Sequence, residues 1–138
     1  GKLSECLPEL ISSQEPCGYV RKELMSEFGF SKNTLVSSGG GDNMMAAIGT
    51  GNVVPGVVTA SLGTSGTIYA YSHTPVMDDR GVLASFCSST NGWLPLVCTM
   101  NVTVATELVR NVLKLSLAEM NTLAAAAEPG SGGIILLP

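Results

Sequence analysis

Two stretches of the chain carry residues able to do chemistry. The first is SSGGGDNMMAAIGTG, residues 37–51, in which Gly39, Gly40 and Gly41 lead straight into Asp42 and an apolar segment with helical spacing. Glycine is used where the backbone must take a positive φ or let another group approach closely, at an entropic cost. A lone carboxylate at such a place has two uses. It can cap a helix by accepting from its first N–H groups, or it can take a proton from a ligand. Spacing alone favours the cap, although three glycines exceed what one turn requires.

The second stretch is SLGTSGT, residues 61–67. A Gly-Thr-Ser-Gly turn between two β-type runs would aim backbone N–H groups and two hydroxyls into one concavity, a geometry that holds phosphate oxygens. An ordinary glycine-rich hairpin reads the same way and is the commoner case. A Walker A loop is excluded because no Gly-Lys-Ser/Thr ending follows. A nucleophile elbow is excluded because Thr67 stands where that motif needs glycine. A third stretch, GTGNVVPG, echoes a dinucleotide fingerprint but follows a helical pattern and opens no helix, so it is set aside.

The elements that must hold these stretches are readable from period and breakers. Residues 1–20 read as loop with a short extended piece. Leu24, Met25 and Phe28 have helical spacing, with Gly29 placed as a C-cap. Thr34–Ser37 reads as a short strand, and Met44–Ile48 as a small-residue helix ending at 49–51. Pro55-Gly56 is a strong breaker, and the pattern turns to β beyond it. Three or four antiparallel strands are expected: two across the Gly-Thr-Ser-Gly turn, then GVLASFCSS and GWLPLVCTM across a turn at Thr90-Asn91-Gly92. Val104, Leu108, Val112 and Leu115 lie on one face of a following helix, with Asn101 or Thr103 as its N-cap. A second helix, LAEMNTLAAAAE, stops at Pro129-Gly130, and GGIILLP reads as a buried closing strand. The expected class is α/β or α+β, with a domain boundary near Pro55.

Composition narrows the function. The 138 residues carry a formal net charge of -4, with 7 basic residues scattered along the chain. That leaves no patch to neutralise nucleic-acid phosphates. No run approaches the ~18 uncharged apolar residues of a membrane span, and residues 1–20 lack a basic start followed by an apolar core. The four cysteines, Cys6, Cys17, Cys87 and Cys98, show no C-x-x-C spacing, and His73 is the single histidine, so no zinc site is expected. The thiols read as reduced and structural, Cys87 and Cys98 acting as small hydrophobes within strand-like runs. The start at Gly1 and the stop after an apolar run suggest a piece of a longer protein.

The order Gly-rich turn with aspartate, short helix, Pro/Gly break and Gly-Thr-Ser-Gly hairpin resembles the FGGY carbohydrate kinases, and within them the xylulokinases. The run VSSGGGDNMMAAIGTGNVVPGVVTASLGTSGTIYAYS carries the likeness, Asn43 points to the xylulokinase side, and SFCSSTNGWLPLVCTMN extends it. The resemblance implies two ribonuclease-H-like (actin-like) domains around a cleft. Residues 1–55 would end the first, sugar-binding domain, and 56–138 would begin the second, ATP-binding domain. It implies Asp42 as the base for the sugar hydroxyl and Asn43 as a sugar contact, with Gly41 beside them. Gly63, Thr64, Ser65 and Gly66 would cradle ATP phosphates. On this reading Gly39–Gly41 keep side chains out of the cleft.

ATP and Mg2+ are the implied cofactors, with the metal ligands expected outside this chain. The partners would be a sugar, such as D-xylulose, and ATP. Exposed apolar faces would favour self-association, and the cytoplasm is the expected compartment. An actin-like ATPase domain without sugar chemistry and a catalytically dead kinase scaffold are the competing readings.

Overall fold

The computed structural model describes residues 3–136. After a 3-10 turn at Leu3–Cys6, strand β1 (Pro16–Tyr19) pairs antiparallel with β2 (Leu35–Ser37) around helix α1 (Lys22–Phe28). Gly29 ends α1 at φ 73°, and its N–H donates to Met25 O. This is the left-handed C-cap expected of glycine there.

Helix α2 (Asp42–Gly49) follows the glycine turn. A four-stranded antiparallel sheet comes next: β3 (Val58–Leu62), β4 (Gly66–Ala70), β5 (Ala84–Cys87) and β6 (Trp93–Thr99), in the order β3-β4-β6-β5. The four strands and the Thr90-Asn91-Gly92 turn agree with the sequence reading. Asn91 takes φ 63°, and a side chain at Gly92 would run into the Tyr71 ring, so the turn needs those two residues. β4 and β6 pair from Gly66↔Thr99 to Tyr69↔Leu96 and meet again only at Ser72↔Trp93. Pro95, which has no N–H to donate, lies in the gap.

Helices α3 (Thr103–Val112) and α4 (Leu117–Ala126) follow, and a 3-10 turn at Ser131–Gly133 comes last. The start of α4 is closed by a capping box: Ser116 Oγ accepts from Glu119 N, and the Glu119 carboxylate accepts from Ser116 N. The Ser116 hydroxyl also donates to Glu119 Oε2 at 2.7 Å, and this bond first and the Ser116 N–H second hold the Glu119 carboxyl below its usual range.

The core is small and lies between α2 and the sheet, where Ala47, Tyr69, Leu94 and Leu96 pack together with Met44 against them. Ala105 of α3 is the other buried apolar residue among those described. The helical face expected on α3 is real in spacing but open to solvent, with Val104, Leu108 and Val112 all exposed.

Three expectations need correction. Ile134–Leu136 form no strand and are exposed, because a strand must pair its backbone groups and no sheet edge among the described residues meets them; Leu137 and Pro138 lie outside the described residues. Neither Asn101 nor Thr103 caps α3: Val102 is the N-cap, with no side-chain bond. The four cysteines are free and exposed, so Cys87 and Cys98 do not fill the core although they lie in β5 and β6.

Candidate functional site

Asp42 is the first residue of α2 and Gly41 its N-cap, so Asp42 stands one position later than a capping aspartate would. Its carboxylate still serves the helix start, with Oδ1 accepting from Asn43 N at 2.8 Å. The side chain is exposed and free to face a ligand. A carboxylate in the first turn also faces the positive end of the helix dipole.

The three glycines have separate local causes. Gly39 takes φ +74°, a left-handed conformation that other residues resist. A Cβ on Gly40 would strike Met45 Cε and Ser89 Oγ, and one on Gly41 would lie 2.9 Å from Met44 Sδ. A side chain at Gly40 or Gly41 would thus have to displace the ends of Met45, Ser89 or Met44.

The hairpin between β3 and β4 turns through Gly63, Thr64 and Ser65, and Leu62 pairs with Gly66 at its base. Gly63 N–H is spent inside the turn on Ser65 O at 2.9 Å. Gly63 N–H is therefore not among the N–H groups that the turn leaves open. Thr64 and Ser65 are exposed at the tip. Gly66 is buried, and a Cβ there would lie 2.6 Å from Val102 Cγ2 and 3.3 Å from Thr99 Cγ2.

The start of α3 docks on this turn. Val102 N donates to Thr64 O at 2.9 Å and Thr103 N to Gly63 O at 3.1 Å. The N–H groups of Val102 and Thr103 thus find carbonyl partners in the hairpin, which fixes where α3 starts.

The two sequence motifs meet. Thr67 Oγ1, one residue past the hairpin, donates to Asn43 Oδ1 at 3.3 Å. This sets the start of α2 beside the base of the turn and brings Asp42 and Asn43 to the same end of the sheet as Gly63–Gly66.

A residue missed in the sequence holds the other end of α2. Asn52 is fully buried, and its N–H donates to Ala47 O at 2.8 Å. Its Nδ2 donates to Tyr69 O at 3.0 Å and to Thr59 Oγ1 at 3.1 Å, while its Oδ1 accepts from Tyr71 N at 3.0 Å. The carboxamide thereby continues the ladder along β4 beyond the start of β3, behaving as a peptide group would. Thr50 Oγ1, 2.9 Å from Thr59 Oγ1, adds a second tie. The only available signal was an amide side chain after Gly49-Thr50-Gly51, in a stretch set aside as a failed nucleotide fingerprint.

Among the described residues no group of three or more His, Cys, Asp or Glu could hold a metal ion. None of their helices is long and apolar enough to cross a membrane. A surface hollow of about 500 Å³ lies along α1 between Lys22, Met25, Ser26, Phe30 and Lys32, and its lining includes neither motif.

Comparison with known proteins follows the same residues. The N-terminal domain model of the FGGY family of carbohydrate kinases matches residues 2–49. A xylulose kinase of Haemophilus influenzae is 49% identical over 136 residues, covering 99% of this chain and 28% of that protein. The chain thus spans little more than a quarter of this relative's length. The crystal structure of xylulose kinase from Bifidobacterium adolescentis superposes with a TM-score of 0.61 at 39% identity, over 73% of this chain and 20% of that one. Ligand-bound xylulose kinase from Lactobacillus acidophilus aligns with a TM-score of 0.79 over 95% of this chain and 27% of the other; at 20% identity that likeness speaks for the fold. The fold is the α/β, actin-like (ribonuclease-H-like) one of these kinases.

Proposed function

The chain belongs to the FGGY family of carbohydrate kinases, and from that premise we propose that it is part of an ATP-dependent sugar kinase of the xylulokinase type. The enzyme would transfer the γ-phosphoryl group of ATP to a hydroxyl of a ketose such as D-xylulose. The observation that carries this reading is the bond from Thr67 to Asn43, which puts the Asp42 carboxylate and the Gly63–Gly66 turn at one end of one sheet. Phosphoryl transfer asks for that arrangement: one carboxylate to orient and deprotonate the attacking hydroxyl, next to a backbone turn that positions the donor's phosphates.

In this assignment Asp42 is the general base and Asn43 contacts the sugar, with Gly41 admitting it closely. Thr64 and Ser65 offer their hydroxyls and N–H groups to the phosphates of ATP, Gly63 lets them approach, and Gly66 holds the turn against β6 and α3. Sugar kinases of this family use ATP and a divalent metal. A magnesium ion would supply charge neutralisation of the phosphates, with ligands drawn from outside this chain. Residues 1–55 would close the sugar-binding domain and 56–138 open the ATP-binding domain. We place the enzyme in the cytoplasm and leave room for a homo-oligomer.

Surface area supports a larger enzyme. The chain exposes 10546 Å², against about 6,800 Å² for a folded monomer of its mass. Exposed Leu10, Phe28, Val112 and Ile134 are the sort of surface that further polypeptide covers.

The test is ADP release by the whole polypeptide that carries these residues, with xylulose, ribulose and glycerol offered as acceptors. Turnover fastest with xylulose is the expected result. ATP hydrolysis indifferent to any acceptor would instead favour an actin-like ATPase, and silence with all three a dead scaffold. Thr64→Val, which removes a hydroxyl and keeps the branched shape, should raise the apparent KM for ATP and leave that for the sugar unchanged.

A further inference from the structure

Thr67 closes the second stretch, just past its Gly-Thr-Ser-Gly turn, and its side chain joins that stretch to the first. Its backbone is locked on both sides, paired with Ser61 on β3 and with Cys98 on β6. A threonine in such a ladder has few rotamers open to it. Its hydroxyl therefore reaches Asn43 Oδ1 from a fixed platform, at 3.3 Å. Asn43 is half-buried, the second residue of α2, and its own N–H binds Asp42 Oδ1. Ala47 in the core, Thr50 on Thr59 and Asn52 on β4 pin the rest of α2 to the same sheet.

An asparagine amide has an oxygen that only accepts and a nitrogen that only donates. With Oδ1 taken by Thr67, Nδ2 is left as the donor end of the amide, and no protein acceptor meets it among the described residues. Asn43 then presents N–H donors to whatever enters beside Asp42. Donors suit the lone pairs of a sugar hydroxyl or carbonyl and repel a cation.

We propose that Thr67 is a positioning residue for sugar recognition, fixing the orientation of the Asn43 amide so that its nitrogen faces the substrate. The proposal rests on the kinase reading above. It predicts that a side chain at the root of the phosphate hairpin controls affinity for the sugar rather than for ATP.

The experiment uses the whole enzyme, with D-xylulose and ATP varied in turn. Thr67→Val keeps the branched shape and removes the donor. It should raise KM for xylulose about 3- to 10-fold, the scale of one neutral hydrogen bond, with KM for ATP unchanged. Thr67→Ser should return KM to within about two-fold of the parent, since the hydroxyl is restored. In an Asn43→Ala background, Thr67→Val should add nothing, because the bond it breaks is already gone. If the valine variant does not fold, Thr67→Ala takes its place in the same comparisons.

A change in KM for ATP instead of xylulose overturns the proposal. So does an unchanged KM for both, failure of serine to rescue, or full additivity with Asn43→Ala. The underlying reading fails separately: an Asp42→Asn enzyme with normal kcat removes the kinase site itself. An inactive Asp42→Asn enzyme beside an unaffected Thr67→Val one removes only the role of Thr67.

Discussion

The segment from α2 to β6 and the segment before it are built on different terms. Between Asp42 and Thr99, buried Tyr69, Leu94 and Leu96 meet Ala47, and Asn52 ties helix to sheet with side-chain bonds on both faces of its amide. Before Asp42 no described apolar side chain is buried, and Tyr19, Phe28, Phe30 and Leu35 lie open. The first unit carries its own core; the second is a small two-stranded ribbon with one short helix. Two short strands and a seven-residue helix leave too little apolar surface buried to hold themselves. The proposed catalytic residues stand on the self-supporting side, although residues 2–49 match the family's N-terminal domain. Through its neighbour Asn43, bonded to Thr67, Asp42 is thus tied to the sheet that bears the Gly63–Gly66 turn.

Substitutions in the two segments should separate cleanly. The largest loss is expected at Leu94, which is fully buried. Leu94→Ala should cost about 2–5 kcal/mol of unfolding free energy, transfer and cavity terms together. Asn52→Ala comes next, at about 1–3 kcal/mol, because it leaves Tyr71 N–H without its acceptor inside the fold. Phe28→Ser, on the open face of α1, should change the stability of the chain by less than about 0.5 kcal/mol. Urea unfolding of the three variants orders them; equal losses at Phe28 and Leu94 would erase the contrast.

Acid should act between these extremes in place, on the loop joining β4 to β5. Asp78 accepts from Arg80 N at 3.1 Å, Val82 N at 2.8 Å and Leu83 N at 2.9 Å. The Arg80 and Leu83 backbone bonds, in that order, hold its carboxyl below the usual aspartate value. A lowered folded-state value means that the stabilisation is present above the unfolded value and is lost as pH falls through the folded one. Amide exchange at Val82 and Leu83, corrected for its intrinsic pH dependence, should therefore lose protection as pH drops below the ordinary aspartate range. Asp78→Asn should remove that dependence.

Much of the fold was readable because its signals are local. The β3–β4 and β5–β6 hairpins announce themselves by turn residues between β-type runs, and the end of α1 by Gly29. The capping box of α4 was equally legible as Ser116 followed by Glu119 three residues on, though it was passed over. What could not be read depends on partners far along the chain. Asn52 has meaning only beside Tyr69 and Tyr71, and the start of α3 is held by Thr64 O and Gly63 O, well back along the chain. Ile134–Leu136 have the composition of a strand, but pairing is a property of two segments. For the site, Asp42 and the Gly-Thr-Ser-Gly turn were each weak alone. Their order along the chain made them a pair, and the contact between Asn43 and Thr67 supplies the geometry that order could not.

The claim that Asp42 does chemistry rather than helix support is tested most directly by Asp42→Asn in the whole enzyme, followed by kcat, KM for ATP and thermal melting together. The asparagine oxygen can still accept from Asn43 N–H, so the melting temperature should hardly move. Without a base the attacking hydroxyl keeps its proton, and kcat should fall by about 10² to 10⁴ while KM for ATP stays put. A variant that melts like the parent and keeps most of its kcat would contradict the account and leave Asp42 as a helix-start residue alone.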